Sequence, residues 1–135
     1  MKNGLIYLIT TTAQSVLLNG IIPLETIARR RNCACQKNGN GVLLTKPGYY
    51  KITGSVTFTA PAAGVVKIEA QKNGVKIPGI TASTTITTVT TENRTLNING
   101  IIRVGCCEGE PTITLVNTGV AITISNVSLD VEFLG

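Results

Sequence analysis

Alternation with a period of two governs this chain. In YYKITGSVTFT, residues 49–59, Tyr50, Ile52, Val56 and Phe58 fall on one side, and Lys51, Thr53, Ser55, Thr57 and Thr59 fall on the other. In VVKIEAQK, Val66, Ile68 and Ala70 alternate with Lys67, Glu69 and Gln71, and in RTLNINGIIRV the residues Leu96, Ile98, Ile102 and Val104 share a face. An extended chain sends successive side chains to opposite faces, so each run predicts a strand with one buried and one wet face. No run repeats at 3.6 residues, and no helix is expected.

Turn chemistry separates the runs. Lys72-Asn73-Gly74 places an Asn-Gly pair between two alternating segments, a strong hairpin signal. KPGYY, TAPAAG and KIPGI put Pro and Gly where a sheet should stop or bend. The last segment, VAITISNVSLDVEFLG, changes phase: Val120, Ile122 and Ile124 are even, whereas Val127, Leu129, Val131 and Phe133 are odd. A bulge or short turn near Ser125-Asn126 would restore the inward phase. In residues 5–32, LIYLITTT, SVLL and TIARR read as strands with NGIIPL as turn and crossover, or the first dozen residues form an arm reaching a neighbouring subunit. The expectation is an all-β, single-domain jelly-roll sandwich of about eight to ten antiparallel strands. Residues 1–19 are its N-terminal strand or arm, and 20–135 the jelly-roll domain.

Composition narrows the class. A chain of 135 residues and 14.2 kDa suits one domain, with hydrophobicity too high for disorder. Charged residues are only 14%, against about 25% in an average domain, and Thr, Ser and Asn fill the polar positions. A surface so short of charge is poorly protected against association, which points to part of it being covered in an assembly. The N-terminal MKNGLIYLIT has an apolar run shorter than the roughly 7–15 residues of a secretory signal, and no stretch approaches the roughly 18 of a membrane span. Synthesis in a cytoplasm, with release by lysis, is the expectation.

The order of motifs resembles a known family. KPGYYKITGSVTF is similar to the Gly-x-Tyr-x-hydrophobic strand of globular complement-head and tumour necrosis factor-like jelly rolls. VVKIEAQKNGVKIPG resembles the strand, Asn-Gly hairpin and strand that follow it, and ISNVSLDVEFL the buried final strand. The likeness covers about residues 20–134. More narrowly, the series from IPLETIARRRNCACQ to IIRVGCCEGE resembles small virion proteins of bacteriophages and prophages of gut Firmicutes. The resemblance implies a homotrimer packed about a threefold axis. Aromatic content of 4% departs from eukaryotic members, and only Tyr50 and Phe58 stand in matching positions.

Chemistry is poorly provided for. The chain has no histidine, which removes the commonest general base and neutral metal ligand. Its one tight acidic pair, Glu108 and Glu110, flanks a glycine beside a proline, as in a solvated loop. Phosphate loops, nucleophile elbows and zinc-enzyme motifs are missing, so neither catalysis nor a cofactor is expected.

Two sets of residues stand out against this background. The first is the thiols Cys33, Cys35, Cys106 and Cys107. Cys-x-Cys with Cys-Cys fits the usual zinc spacing poorly. A disulfide between the pairs or between subunits is favoured, closing about 70 residues and stabilising by roughly 4 kcal/mol; reduced cysteines packed as small hydrophobes are the alternative. The second is Arg29, Arg30 and Arg31. No aromatic residues interleave for base stacking, so a cationic edge docking on an acidic shell protein or on a neighbouring subunit is preferred to a nucleic-acid contact. Asn93-Arg94-Thr95 and Asn126-Val127-Ser128 match the glycosylation sequon and are discounted without a secretory route.

The expected function is structural: a trimeric virion protein, made in a bacterial host, that decorates a capsid or forms a head or tail fitting. Its partners would be itself and a major capsid or other virion protein, with no membrane. Tyr50, Val56, Phe58, Leu129, Val131 and Phe133 are the candidate core or trimer-packing residues. The alternative is a trimeric tip that binds a receptor or host glycan, and a weaker one is a spore-surface or secreted bacterial protein.

Overall fold

In the computed structural model, which describes residues 4–31, 34–88 and 92–135, the alternating runs become strands of two antiparallel sheets. Eleven strands form among the described residues: β1 (Leu5–Thr10), β2 (Gln14–Val16), β3 (Thr26–Arg31), β4 (Cys35–Asn38), β5 (Gly41–Leu44), β6 (Gly48–Thr59), β7 (Gly64–Lys72), β8 (Val75–Ile86), β9 (Arg94–Val104), β10 (Thr112–Asn117) and β11 (Ile122–Phe133). The excess over eight to ten comes from pieces such as β2 and β4, too short to show a period in sequence.

The first sheet has the order β3-β1-β11-β6-β9, with β2 also on β11; the second has β4-β5-β10-β7-β8. Apart from the β4–β5 and β7–β8 hairpins, neighbours within a sheet are not consecutive in sequence. The N-terminal strand β1 lies inside the first sheet, between β3 and β11.

Each sequence signal has a local counterpart. Lys72 pairs with Val75 across a two-residue loop in which Asn73 (φ 52°) and Gly74 (φ 81°) both adopt the left-handed backbone that a type I′ turn requires. The phase slip in the last segment is a register shift between Ile124 and Asn126 in the β11–β6 pairing, which leaves Ser125 unpaired. Val127, Leu129 and Val131 consequently return to the inside, fully buried. Of the two expectations for KIPGI, a stop or a bend, the second holds: it is an irregularity inside β8, opposite the register shift between Glu69 and Gln71.

The core lies between the sheets. Tyr50, Ile52, Val56 and Phe58 of β6 and Leu129 and Val131 of β11 meet Val66, Ile68 and Ala70 of β7 and Ile113 and Leu115 of β10 in one buried cluster. Gly54 interrupts the inward series of β6 for a steric reason. A Cβ there would come within 3.1 Å of Ile98 Cγ1, so the glycine admits β9's side chain. The accessible surface, 6732 Å², is what a compact monomer of this mass exposes, about 6,800 Å². The chain thus closes its core alone.

One polar residue organises the crossovers. Asn117 is fully buried, and its Nδ2 donates to Val16 O (3.1 Å) and Val120 O (2.9 Å), while its Oδ1 accepts from Gly119 N (3.0 Å). Buried amides left unpaired would cost about 1–3 kcal/mol each, so this set ties three segments at one point.

Candidate interaction surfaces

The six apolar positions proposed for core or trimer packing are all core. Tyr50, Phe58, Leu129 and Val131 are fully buried, Val56 is 1% exposed and Phe133 6%. None lies open to a second copy, so trimer contacts on Tyr50, Val56, Phe58 and Phe133 are corrected to intrachain packing. The rings of Tyr50 and Phe133 sit 5.0 Å apart at 52°. The Tyr50 hydroxyl donates to Lys46 O at 2.6 Å and accepts from Lys46 N at 3.2 Å, pinning the turn before β6. Burial, the main cause, pushes its ionisation upward.

Outward residues follow from the same alternation. Cross-strand partners share a face, so the register places Arg29, Tyr7, Asp130, Thr53 and Asn99 in one row and Arg31, Leu5, Glu132, Lys51 and Ile101 in the next. The three arginines are exposed on β3, the edge strand, and Arg30 is opposite the inward Ile6. Arg29 and Arg31 therefore share a face, as expected, and Arg29 Nη1 donates to Ala28 O at 2.8 Å. Beside them runs an acidic centre on β11. Partial burial, and then Glu132 two residues on, push the Asp130 carboxyl above its ordinary value against the opposing pull of Lys51.

The thiols separate. Cys33 lies outside the described residues. Cys35, the first residue of β4, is 1% exposed, with its Sγ 3.9 Å from Val131 O. Burial first, then the charge of Asp130, push this thiol up to about 11, with Arg30 pulling the other way. Cys106 and Cys107 are exposed in the turn after β9, with their sulfurs 3.2 Å apart. All three are free, so Cys35 packs as a small hydrophobe while the other pair faces solvent. Lys72 Nζ meets Glu108 Oε2 at 2.8 Å and Glu108 Oε1 accepts Gly105 N at 2.8 Å, which anchors that turn. The Lys72 hydrogen bond, above all, holds the Glu108 carboxyl below its ordinary value. Among the described residues no three potential metal ligands converge.

The surface overlooked from sequence is the side where β8 and β9 meet. A notch of about 240 Å³ is lined by Val75, Ile77, Pro78 and Ile101 with the cations Lys72, Lys76 and Arg103. Val75 is 68% exposed and Ile101 63%. The signal was the doubled Ile101-Ile102: with Ile102 inward, Ile101 must point out.

No protein-family profile matches the chain, and no curated protein matches it in sequence. Solved structures do match in three dimensions. Eiger TNF from S. frugiperda superposes with a TM-score of 0.69 at 8% identity, over 98% of this chain and 92% of that one. The fold is a tumour necrosis factor-like jelly roll. The globular domain of zebrafish complement 1qA protein matches with a TM-score of 0.64 at 7% identity, over 97% and 96% of the two chains. PRD1 vertex protein P5 matches with 0.58 at 14% identity, over 98% and 97%. At such identities the likeness fixes the jelly roll and nothing finer.

Proposed function

We propose that this tumour necrosis factor-like jelly roll is a non-enzymatic structural protein of a bacteriophage particle, of the kind carried by phages and prophages of Firmicutes. It acts as a homotrimer that seats on the shell as a decoration or as a head or tail fitting. The observation that carries this is the end-to-end likeness to a vertex protein, in a chain with no histidine and no converging metal ligands among its described residues.

The mechanism is geometric. The notch between β8 and β9 is apolar and cationic, through Val75, Ile101, Lys76 and Arg103. The outward face of the first sheet offers Asp130 and Glu132 beside the exposed Tyr7. Two unlike, complementary surfaces on one subunit make a head-to-tail contact, which closes into a ring when the rotation is right. Once the ring has used those surfaces, the edge strand with Arg29, Arg30 and Arg31 remains to meet an acidic shell. Docking there adds contacts to the shell and performs no reaction.

Two measurements test this. Sedimentation of the purified protein should give three times the chain mass of 14.2 kDa. In gradient-purified particles the chain should hold a fixed ratio to the major capsid protein, and reversing charge at Arg29 and Arg31 should lower that ratio severalfold. A monomer in solution, or particles without the chain, would sink the reading.

A further inference from the structure

The outward face of the second sheet carries a groove of about 430 Å³, inside the roughly 300–1,000 Å³ range of small-ligand sites. Its floor is the outward side of β10, the half-buried Thr112 and Thr114 with the nearly buried Val116, flanked by Gln71 and Asn73 at the β7–β8 hairpin and by Ile21 of the crossover. The register accounts for this assembly. Ile21 bridges to Val116, Thr114 pairs with Gln71, and Asn73 stands next in line beside Thr112.

The polar side chains there are half-committed. Gln71 Nε2 donates to Glu69 Oε2 at 3.0 Å, which turns its carbonyl oxygen away from that nearly buried carboxylate. Thr112 Oγ1 accepts from Asn38 Nδ2 at 3.1 Å, so its own proton is left to give. Asn73 Oδ1 accepts from Thr112 N at 2.9 Å, which leaves its Nδ2 as a donor. The groove thus presents a fixed acceptor, two fixed donors and the adaptable Thr114 hydroxyl, next to apolar surface from Ile21, which is 51% exposed.

We infer that this groove binds a neutral, polyhydroxylated ligand, a sugar ring or the terminal unit of a glycan. Each hydroxyl of such a ring both gives and accepts a hydrogen bond, matching alternating donors and acceptors, and its C–H face suits the exposed Ile21. No ionisable side chain lines the groove, although the chain carries a net charge of +5, and the Glu69 carboxylate behind Gln71 is nearly buried and already accepts the Gln71 amide. An anionic ligand would lose its water here without gaining a counter-charge. Single-site binding is weak, of order 1 mM for a ligand of this size, and three copies on one trimer strengthen it through avidity. The inference stands apart from the shell role, since the groove lies on the sheet away from Arg29–Arg31, Asp130 and Glu132.

The test is amide chemical-shift titration of the full chain with glucose, galactose and N-acetylglucosamine separately. Shifts should concentrate at Gln71, Asn73, Gly74, Thr112 and Thr114 for at least one sugar. Thr114→Val, which keeps shape and removes the hydroxyl, should weaken that binding roughly three- to tenfold. Asn73→Asp keeps the turn chemistry but swaps a donor for an acceptor, and should abolish it. Thr85→Val, outside the groove, should bind as the native chain does, and all three variants should self-associate and occupy particles normally. Silence with all three sugars, shifts mapping elsewhere, or native affinity in Thr114→Val and Asn73→Asp would overturn the inference.

Discussion

Cys35 shows how one buried atom sets a pH limit on the molecule. Its thiol ionises near 11 in the fold, against an ordinary 9.0, because burial disfavours the thiolate. A raised value means that the folded chain keeps the proton longer than the unfolded one. The stability this confers is complete below pH 9.0 and is lost as pH climbs toward 11. At about 1.36 kcal/mol per unit, the loss should reach roughly 2–3 kcal/mol. Cys35→Ala removes this group from the balance. The difference between native and Cys35→Ala unfolding free energies in urea should therefore fall across that window, and a constant difference would refute the account. Alkylation offers a second readout: Cys106 and Cys107 should react in the native protein and Cys35 only once it unfolds.

Among the elements, β11 carries the most information per residue. Its pairing changes phase at Ser125, so a single extra residue decides which side of the strand faces the core. Deleting Ser125 removes the unpaired residue and leaves Ile124 inward, Asn126 outward and Val127 inward, so cooperative unfolding should survive. Deleting the paired Ser128 instead should put Leu129 and Val131 on the wet face and abolish it. Ser125→Ala loses only a 3.4 Å hydrogen bond to Thr57 O and should change stability by less than about 1 kcal/mol. Circular dichroism melts of the three variants separate these outcomes, and a native-like melt of the Ser128 deletion, or loss of cooperativity in the Ser125 deletion, would be fatal to the account. This slip was visible in the sequence, as were the Asn73-Gly74 hairpin and the inward sets of β6, β7 and β9, because each depends on neighbours along the chain. The notch between β8 and β9 and the groove over β10 were not visible. Each joins residues brought together only by sheet order, such as Lys76 with Arg103, or Ile21 with Thr114. The role of Tyr50 was half visible. Its inward side could be read from the period, but whether that side met the chain's own second sheet or another copy depended on how the sheets close.

For the whole molecule, the charges on the outward face of the first sheet give the proposed trimer its sharpest test. Asp130 is raised by burial and by Glu132, so its charge is a cost to the isolated chain. The stability linked to its protonated form is present below the ordinary value of 3.8 and lost as pH rises through the raised folded value. In the proposed ring, Lys76 or Arg103 of a neighbour offsets that cost. One substitution should therefore act with opposite signs on two measurements. Asp130→Asn should leave the subunit equally or more stable in denaturant, while weakening self-association. With the substitution repeated at every interface of the ring, about 1 kcal/mol at each should give a clear shift toward monomer in sedimentation at micromolar protein. Added salt should weaken the native assembly in the same direction and affect Asp130→Asn less. A variant that loses subunit stability but keeps its trimer would show that Asp130 belongs to the fold alone, and would move the contact surface elsewhere on the sandwich.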